Sequence, residues 1–360
     1  MTSPLDFHSR MALFPRHHRQ TLLPGIGPEG QTALARAHVM VVGCGALGSF
    51  AIDQFARAGV GTLTLVDRDV VELTNLQRQT LYVEAHVRDG APKAIAAADR
   101  VRAIDSSLRV HPVVEHFDSD NALDLLRTVD LVIDGLDNFP SRFLLNDACV
   151  AAEVPWIHGG AVSTIGTSMT ILPGQTPCFR CLIPEPPDPG TTPTCDTAGV
   201  LAPVVATVAS HQVSEGLKFL VGARDSLDTS LVSWDLWNNR TTRISLEQAR
   251  SPKCPCCGER RFDFLNSTVP SAVSLCGRNA VQIIPEVSGA ELDLEALADR
   301  LGSHGNFSIV SGLLKGTLSD SGSSLGKPVE LTVFPDGRAI VGGGSQIEFA
   351  RGIYARYVGQ

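Results

Sequence analysis

A short apolar run that ends in a glycine-rich turn constrains the fold of this chain most strongly. Residues 39–42 read Val-Met-Val-Val and lead into Gly-Cys-Gly-Ala-Leu-Gly, after which the pattern becomes helical. Gly43 and Gly45 permit a tight turn that approaches a phosphate closely, and Gly48 lets the next helix pack on the strand. Free N–H groups at the start of that helix favour an anion. The sequence therefore predicts a Rossmann-like α/β fold that binds a nucleotide phosphate.

A second apolar run, residues 62–67, ends in Asp67. In such folds a carboxylate about 20 residues beyond the glycine turn meets the hydroxyls of a ribose. Asp67 is therefore the predicted ribose ligand. The glycine motif and this carboxylate together leave NAD, FAD and ATP open as the nucleotide.

Residues 68–79 are unusually polar and include Asn75 and Arg78, and Lys93 follows shortly after. A hydride-transfer enzyme has no evident use for this density of polar groups. An enzyme that acts on a triphosphate needs cations for the phosphates and carboxylates for magnesium. The segment therefore favours phosphoryl or nucleotidyl transfer.

A further predicted strand, residues 129–134, runs on to Asp137 and Asn138. Ligands of open α/β sheets collect at the carboxyl ends of the strands, so both residues should face the crevice beside the glycine turn. Asp137 is a candidate magnesium ligand, and an Asp-Asn turn is also an ordinary helix cap.

Length and charge limit the class of protein further. With 360 residues the chain is long enough for two domains, and its net charge of −8 argues against a broad nucleic-acid surface. The most apolar stretch, residues 198–221, carries polar residues throughout and predicts a buried helix rather than a membrane span. The N-terminal residues lack a continuous apolar core, so we expect a cytoplasmic protein without a membrane segment.

Four of the nine cysteines form two C-x-x-C pairs. Two such pairs suit a closed, tetrahedral zinc site of structural type, with Cys178, Cys181, Cys254 and Cys257 as the ligands. Cys256 leaves the register of the second pair open, because Cys254 and Cys256 would form a C-x-C pair of ligands instead of C-x-x-C. A redox-active dithiol is the alternative, although it requires only one pair.

Taken in order, the segments GCGALGS, LVDRDVVELTNLQRQ, Pro92-Lys93 and DGLDN resemble the adenylation domain of the ThiF/MoeB/HesA family, the bacterial relatives of ubiquitin-activating enzymes. The resemblance covers residues 14–265 and includes the cysteine pairs. One departure is Ala46, which stands where many members have a further glycine.

The resemblance implies an enzyme that uses ATP and Mg²⁺ to adenylate the C-terminal glycine of a ubiquitin-like sulfur-carrier protein ending in Gly-Gly. It implies that Asn75, Arg78 and Lys93 contact the phosphates and that Asp137 binds magnesium. It implies a homodimer in which Arg19 acts across the interface. A cysteine desulfurase would be a fitting sulfur donor.

A proline-rich loop, residues 183–201, contains Cys195 just before the predicted apolar helix. Prolines exclude helix and central strand here, and a loop of this length is expected to cross the active site or a bound tail. The family places a cysteine at this point, and Cys195 is either covalently active toward the carrier or a non-catalytic thiol. Cys44 and Cys149 are expected to be ordinary buried thiols, and Cys276 is unassigned.

Residues 266–360 predict a small α+β domain after a short polar linker. The pattern gives a strand at 280–284, a helix at 292–301, strands within 307–318, a hairpin at 330–341 and a helix at 347–357. This domain either docks the carrier or serves as an appendage for stability or dimerisation.

Other functions remain open from the residues alone. An NAD(P)-dependent oxidoreductase fits the glycine turn and Asp67 but gives Arg19, Arg78 and the cysteine pairs no role. A non-catalytic module that keeps the nucleotide fold, or a tRNA-modifying dehydratase that adenylates another carboxylate, are further alternatives. Histidines 17, 18 and 158 are assigned structural roles.

Overall fold

The computed structural model describes residues 14–187, 195–266, 272–275, 280–284, 292–319, 328–344 and 346–358. They fall into two compact units. One comprises Met1–Arg88 and Pro92–Ser267, and the other comprises Asp89–Ala91 and Thr268–Gln360. Cys276, residues 267–271 of the predicted linker at 266–271 and residues 188–194 of the proline-rich loop lie outside the described residues.

Eight described strands form one sheet in the first unit, in the order β3-β2-β1-β4-β5-β6-β7-β8. The first five run parallel and the last three pair antiparallel. Their bounds are β1 His38–Val42, β2 Thr62–Val66, β3 Arg109–Val113, β4 Leu131–Asp134, β5 Trp156–Val162, β6 Ile165–Ile171, β7 Leu231–Asp235 and β8 Arg240–Ile244. The predicted Rossmann-like α/β class is confirmed.

Helices cover both faces of this sheet. Those described in the first unit are α1 His18–Thr21, α2 Gly27–Arg36, α3 Ala46–Ala58, α4 Glu84–Arg88, α5 Lys93–Ile104, α6 Ala122–Leu126, α7 Phe139–Ala151, α8 Phe179–Leu182, α9 Cys195–Ala198 and α10 Ala202–Leu220. Short 3₁₀ turns lie at Leu73–Asn75 and Arg224–Ser226. Helix α2 has Pro28 in its first turn, where proline is well tolerated, and it ends at Arg36, just before β1 begins at His38.

The long apolar helix differs from the prediction of 198–221, since α10 begins only at Ala202. Gly199 has a φ of +71°, a left-handed conformation that interrupts the helix, and Val200 forms a β-bridge with Ser163. The expectation that no helix occurs within 183–201 was also wrong, because Cys195–Ala198 forms the single helical turn α9.

Helix α7 is enclosed on all sides. Every residue from Ser141 to Val150 is buried, in a core that also contains Trp156, Phe179 and the sulfur atoms of Cys178 and Cys254. A helix that is buried all round belongs to the interior of a protein rather than to its surface.

The second unit contains a described six-stranded antiparallel sheet in the order β11-β12-β13-β14-β10-β9. Its elements are β9 Ala272–Leu275, β10 Ala280–Ile283, α11 Leu294–Leu301, β11 Gly305–Val310, β12 Leu313–Leu318, β13 Val329–Val333, β14 Ala339–Gly342 and α12 Ile347–Tyr357. The predicted α+β pattern is therefore present, including the hairpin. Within the described ranges of either unit, no helix has both the length and the apolar character needed to cross a bilayer.

Candidate nucleotide and metal site

One part of the sequence-predicted site lies where β1, β2 and β4 end. The order of the sheet reverses at β1, which lies between β2 and β4, and ligands of open α/β sheets bind in the crevice at such a point. β1 leads into the glycine turn, β2 into Asp67, and β4 into the segment that carries Asp137.

Backbone atoms pack against each other at the base of this crevice. Gly43 has a φ of +91°, and a Cβ on Gly48 would lie 1.9 Å from the Gly43 carbonyl oxygen. Gly135, after β4, faces the same oxygen, because a Cβ there would approach it to 2.2 Å. Among the described residues, by contrast, Gly45 has only the Gln79 amide nitrogen, at 3.9 Å, near its Cβ position. Gly43, Gly48 and Gly135 thus interlock, while the side of the turn at Gly45 is open.

Asp67 is tied to the glycine turn. Its carboxylate accepts hydrogen bonds from the backbone N–H groups of Cys44 and Asp69, both at 2.7 Å. Burial raises the pKa of Asp67, and the charge of Asp69 adds to this effect while Lys93 opposes it. Asp67 therefore stands at the edge of the phosphate turn, the place that a ribose ligand requires.

Lys93 lies at the start of α5 and is almost fully buried. Its Nζ is 3.1 Å from Asp69 Oδ2, and its backbone N–H donates to the Asp69 carbonyl oxygen. Tyr82 donates from its hydroxyl to the Cys44 carbonyl oxygen at 2.7 Å and lies 3.2 Å from the Lys93 carbonyl oxygen. Tyr82 thereby connects the glycine turn to the lysine, a link that the sequence analysis missed.

Asn75 and Arg78 lie on the turn that follows the second strand. Asn75 is buried and forms a reciprocal capping box with Glu72, so its side-chain oxygen holds the turn. Arg78 is half-buried and donates from Nη1 to the Thr74 carbonyl oxygen at 2.9 Å. The structure thus explains how this turn holds its shape.

Asn138 takes the role of helix cap, one of the two roles that the sequence left open for the Asp-Asn turn. Asn138 caps α7, because its side chain accepts from the backbone N–H of Ser141. Asp137 is exposed, and one of its carboxylate oxygens accepts from the Asn138 amide at 3.1 Å. The remaining carboxylate oxygen suits a hard cation such as Mg²⁺, which prefers oxygen ligands.

Arg19 lies away from this crevice. It is exposed on α1, and its neighbour Gln20 donates to Gln31 and to the carbonyl oxygen of Ala58, at the far end of α3. Helix α3 begins at the glycine turn and has 13 residues, so its two ends lie about 20 Å apart. An arginine side chain cannot span that distance within one chain.

A buried charged network that the sequence analysis missed underlies the site. Asp134 is fully buried, and its Oδ2 atom is 2.7 Å from Arg142 Nε and 2.8 Å from His158 Nδ1. Burial alone would raise the pKa of Asp134, but Arg142 and His158 outweigh it and hold that pKa below its usual value. Burial also lowers the pKa of His158, so its ring is neutral near pH 7. His158 is therefore a packed hydrogen-bonding group.

The four predicted zinc ligands come together. The Sγ atoms of Cys178, Cys181, Cys254 and Cys257 all lie within 4.8 Å of one another, with individual separations of 3.3, 3.6 and 3.9 Å. A tetrahedral zinc site with Zn–S bonds near 2.3 Å has sulfur atoms about 3.8 Å apart, so these residues could hold Zn²⁺.

The neighbouring Cys256 has a different environment. It is fully buried, and its Sγ accepts a hydrogen bond from the Asn146 amide at 3.2 Å. Cys256 is not part of the four-sulfur group. The C-x-x-C pairing therefore describes the cluster better than C-x-C.

Cys195 is half-buried at the start of α9, with Sγ 3.2 Å from the Ala161 carbonyl oxygen. The sequence analysis placed it directly before the long apolar helix. That placement is wrong, because α9 is a separate turn and α10 begins seven residues later.

Fold and site together define a nucleotide-binding α/β protein with a second, four-cysteine centre. The ThiF family model matches residues 17–256, two thirds of the sequence. The chain belongs to the ThiF family.

Several characterised proteins are similar to it. The sulfur carrier protein ThiS adenylyltransferase of Bacillus subtilis is 39% identical, over 96% of this chain and 99% of its own. The sulfur carrier protein adenylyltransferase of Thermus thermophilus is 41% identical, over 68% of this chain and 90% of its own. A crystal structure of MccB from E. coli with succinimide has a TM-score of 0.59 at 25% identity, covering 68% of this chain and 73% of that one.

Proposed function

We propose that this chain is an ATP-dependent adenylyltransferase that activates the C-terminal glycine of a ubiquitin-like sulfur carrier, in thiamin or molybdopterin biosynthesis. The observation that carries the proposal is the convergence of the glycine turn, Asp67 and the Lys93–Asp69 pair on one crevice. The names of the relatives from B. subtilis and T. thermophilus support the same activity.

The proposed reaction joins two anions. A carboxylate oxygen of the carrier attacks the α-phosphorus of ATP, the bond from that phosphorus to the bridging oxygen breaks, and pyrophosphate leaves with an acyl adenylate as the other product. Lys93 and Arg78 neutralise the phosphates, and the open side of the glycine turn offers N–H groups. No side-chain base is required because a carboxylate is ionised at neutral pH. Magnesium, held in part by Asp137, supplies further positive charge when it is bound with ATP.

The distance of Arg19 from its own crevice supports action in a second subunit. Leu22 and Leu23, directly after α1, are 46% and 53% exposed, an apolar surface beside the arginine. In a homodimer that buries these leucines, Arg19 reaches the crevice of the partner. Symmetric dimers are the commonest homo-oligomers of soluble proteins.

The other assignments complete the proposal. Zn²⁺ held by the four cysteines stabilises the first unit, and Cys195 acts after the adenylate or remains a non-catalytic thiol. A cysteine desulfurase supplies the sulfur, and the enzyme is cytoplasmic. Residues 1–265 form the adenylation domain, and residues 266–360 form a second domain that serves stability, dimerisation or carrier docking.

ATP–pyrophosphate exchange with a panel of small carriers ending in Gly-Gly tests the proposal. We expect exchange with one carrier, its loss in Asp137→Ala, and its retention in Cys195→Ala if that thiol acts after adenylation. Asp124→Ala is the matched control, because it removes an exposed aspartate that pairs with the exposed Arg127 on the surface.

The outcomes discriminate the alternatives. Tight ATP binding without exchange on any carrier would point to another carboxylate substrate, such as one on tRNA. Binding of NAD in place of ATP would refute the adenylyltransferase and favour an oxidoreductase.

A further inference from the structure

We propose that Arg142 is a positioning residue that holds the Asp137 segment, residues 135–138, in the conformation that binds the metal. The inference rests on the proposed role of Asp137 and adds a residue to it. Arg142 lies one turn inside α7, and its side chain points back to the segment that leads into that helix.

Arg142 joins three parts of the chain with one guanidinium group. Its Nε donates to Asp134 Oδ2 at 2.7 Å, and its Nη2 donates to the carbonyl oxygens of Leu136 at 2.7 Å and Gly159 at 3.2 Å. Asp134 in turn accepts from the backbone N–H of Leu136 at 2.9 Å. Both backbone groups of Leu136, the residue before Asp137, are therefore held by this ion pair.

The opposite side of the segment is held by backbone packing. Gly135 lies against the Gly43 carbonyl oxygen, and its N–H donates to the Val42 carbonyl oxygen at 2.8 Å. The segment cannot move toward the glycine turn because it is already in contact there. A loss of the Arg142 contact therefore releases Asp137 while the phosphate turn keeps its shape.

Lysine cannot replace this arginine. The guanidinium is a planar fork that satisfies several acceptors in fixed directions, whereas an ammonium is a compact point charge. Lysine at this position keeps the charge beside Asp134 but cannot hold the carbonyl oxygens of Leu136 and Gly159 as well.

A purely structural role for Arg142 is the competing explanation, and Arg180 provides the matched control. Arg180 is also buried and pairs with the buried Asp147 at 3.5 Å and with Asp263 at 3.0 Å. It lies over the Phe264 ring, and its described hydrogen-bond and ion-pair partners are Asp147, Pro184, Arg261 and Asp263 rather than residues 135–138. Arg180→Lys thus perturbs a comparable buried pair in the same unit.

Arg142→Lys and Arg180→Lys should be compared in two measurements. The first is amide hydrogen exchange of the nucleotide-free protein, where we expect at least about tenfold faster exchange at Leu136 in Arg142→Lys only. The second is carrier-dependent pyrophosphate exchange against Mg²⁺ concentration. In Arg142→Lys we expect kcat to fall by about 10²-fold, as for a misplaced catalytic group. The Mg²⁺ concentration needed for half-saturation should rise, while KM for ATP should stay within about twofold of the wild-type value.

Equal hydrogen exchange at Leu136 in both variants and the wild type would overturn the inference, as would a fall in kcat with unchanged Mg²⁺ dependence. If Arg142→Lys does not fold, Asp134→Asn takes its place, because it weakens the hold on Arg142 and keeps the size of the side chain. If the wild type shows no pyrophosphate exchange with any carrier, the proposed adenylation of a carrier is refuted but the inference about Arg142 is not. The hydrogen-exchange measurement at Leu136 needs neither metal nor substrate.

Discussion

Replacement of Gly48 by alanine sets two physical effects against each other. Gly48 lies inside α3, where alanine is favoured over glycine by about 1 kcal/mol. Its new Cβ, however, would lie 1.9 Å from the Gly43 carbonyl oxygen and 3.3 Å from a methyl carbon of Val41. The carbonyl belongs to a turn that Gly135 also contacts, so it has no space into which to retreat.

Overpacking of this kind costs about 1–3 kcal/mol and sometimes more, and a backbone atom yields less readily than a side chain. We expect Gly48→Ala to lose about 2 kcal/mol of stability in the first unit despite the gain in helix propensity. For a unit of this size, that is a fall in Tm of about 4–8 °C. ATP binding should weaken as well, because the glycine turn must deform.

Two other helical glycines provide controls. No atom of the described residues lies within 4 Å of the Cβ position of Gly352 in α12, so Gly352→Ala should raise the stability of the second unit. Gly216 in α10 faces side-chain atoms of Phe55 and Leu131 at 2.8 and 2.9 Å, and Gly216→Ala should be intermediate. Thermal unfolding followed by calorimetry measures all three. A Gly48→Ala protein at least as stable as the wild type would refute the steric reasoning.

Three further predictions concern the zinc ligands, the dimer and pH. Cys254→Ser should lose about one equivalent of bound zinc per chain, measured by metal analysis of the purified protein, and should unfold at lower temperature; full zinc content would contradict the cluster. A 1:1 mixture of Arg19→Ala and Asp137→Ala, each inactive alone, should recover about a quarter of wild-type pyrophosphate exchange after the subunits have exchanged, because half of the dimers then contain one intact site. No recovery would refute the action of Arg19 across a dimer interface. Since burial lowers the pKa of His158 below 6.5, the unfolded chain binds more protons than the folded one below that pH, so stability should fall on acidification from pH 7 to 5. His158→Gln should show a shallower pH dependence of Tm, and an unchanged slope would assign the effect to other groups.

Residues whose role follows from local chemistry could be predicted from the sequence. The glycine turn requires glycine at fixed offsets, and two C-x-x-C pairs have few functions other than binding a metal such as zinc. Both features could therefore be recognised without coordinates. The α/β class followed from the same short-range patterns.

Contacts between distant segments could not be predicted in this way. Asp134, Arg142 and His158 are ordinary residues at the end of a strand, in a helix and in a strand, and only the fold brings their side chains together. Gly135 had a usable signal, because it directly follows a strand that ends beside the glycine turn. The break before α10 depends on the left-handed conformation of Gly199, and the sequence Ala-Gly-Val-Leu does not reveal whether a helix continues through it.

Helix α7 is shared by two centres with different chemistry. Its first turns carry Asn138 and Arg142, and its third carries Asn146, which accepts from the backbone N–H of Phe179 and donates to Cys256 beside the sulfur cluster. A substitution that rotates or shifts this helix to suit one centre displaces the other by the same amount. During evolution the nucleotide crevice and the sulfur cluster can therefore change only together. In a homologue that has lost its cysteine pairs, other contacts must fix the position of this helix before residues of the crevice can be substituted.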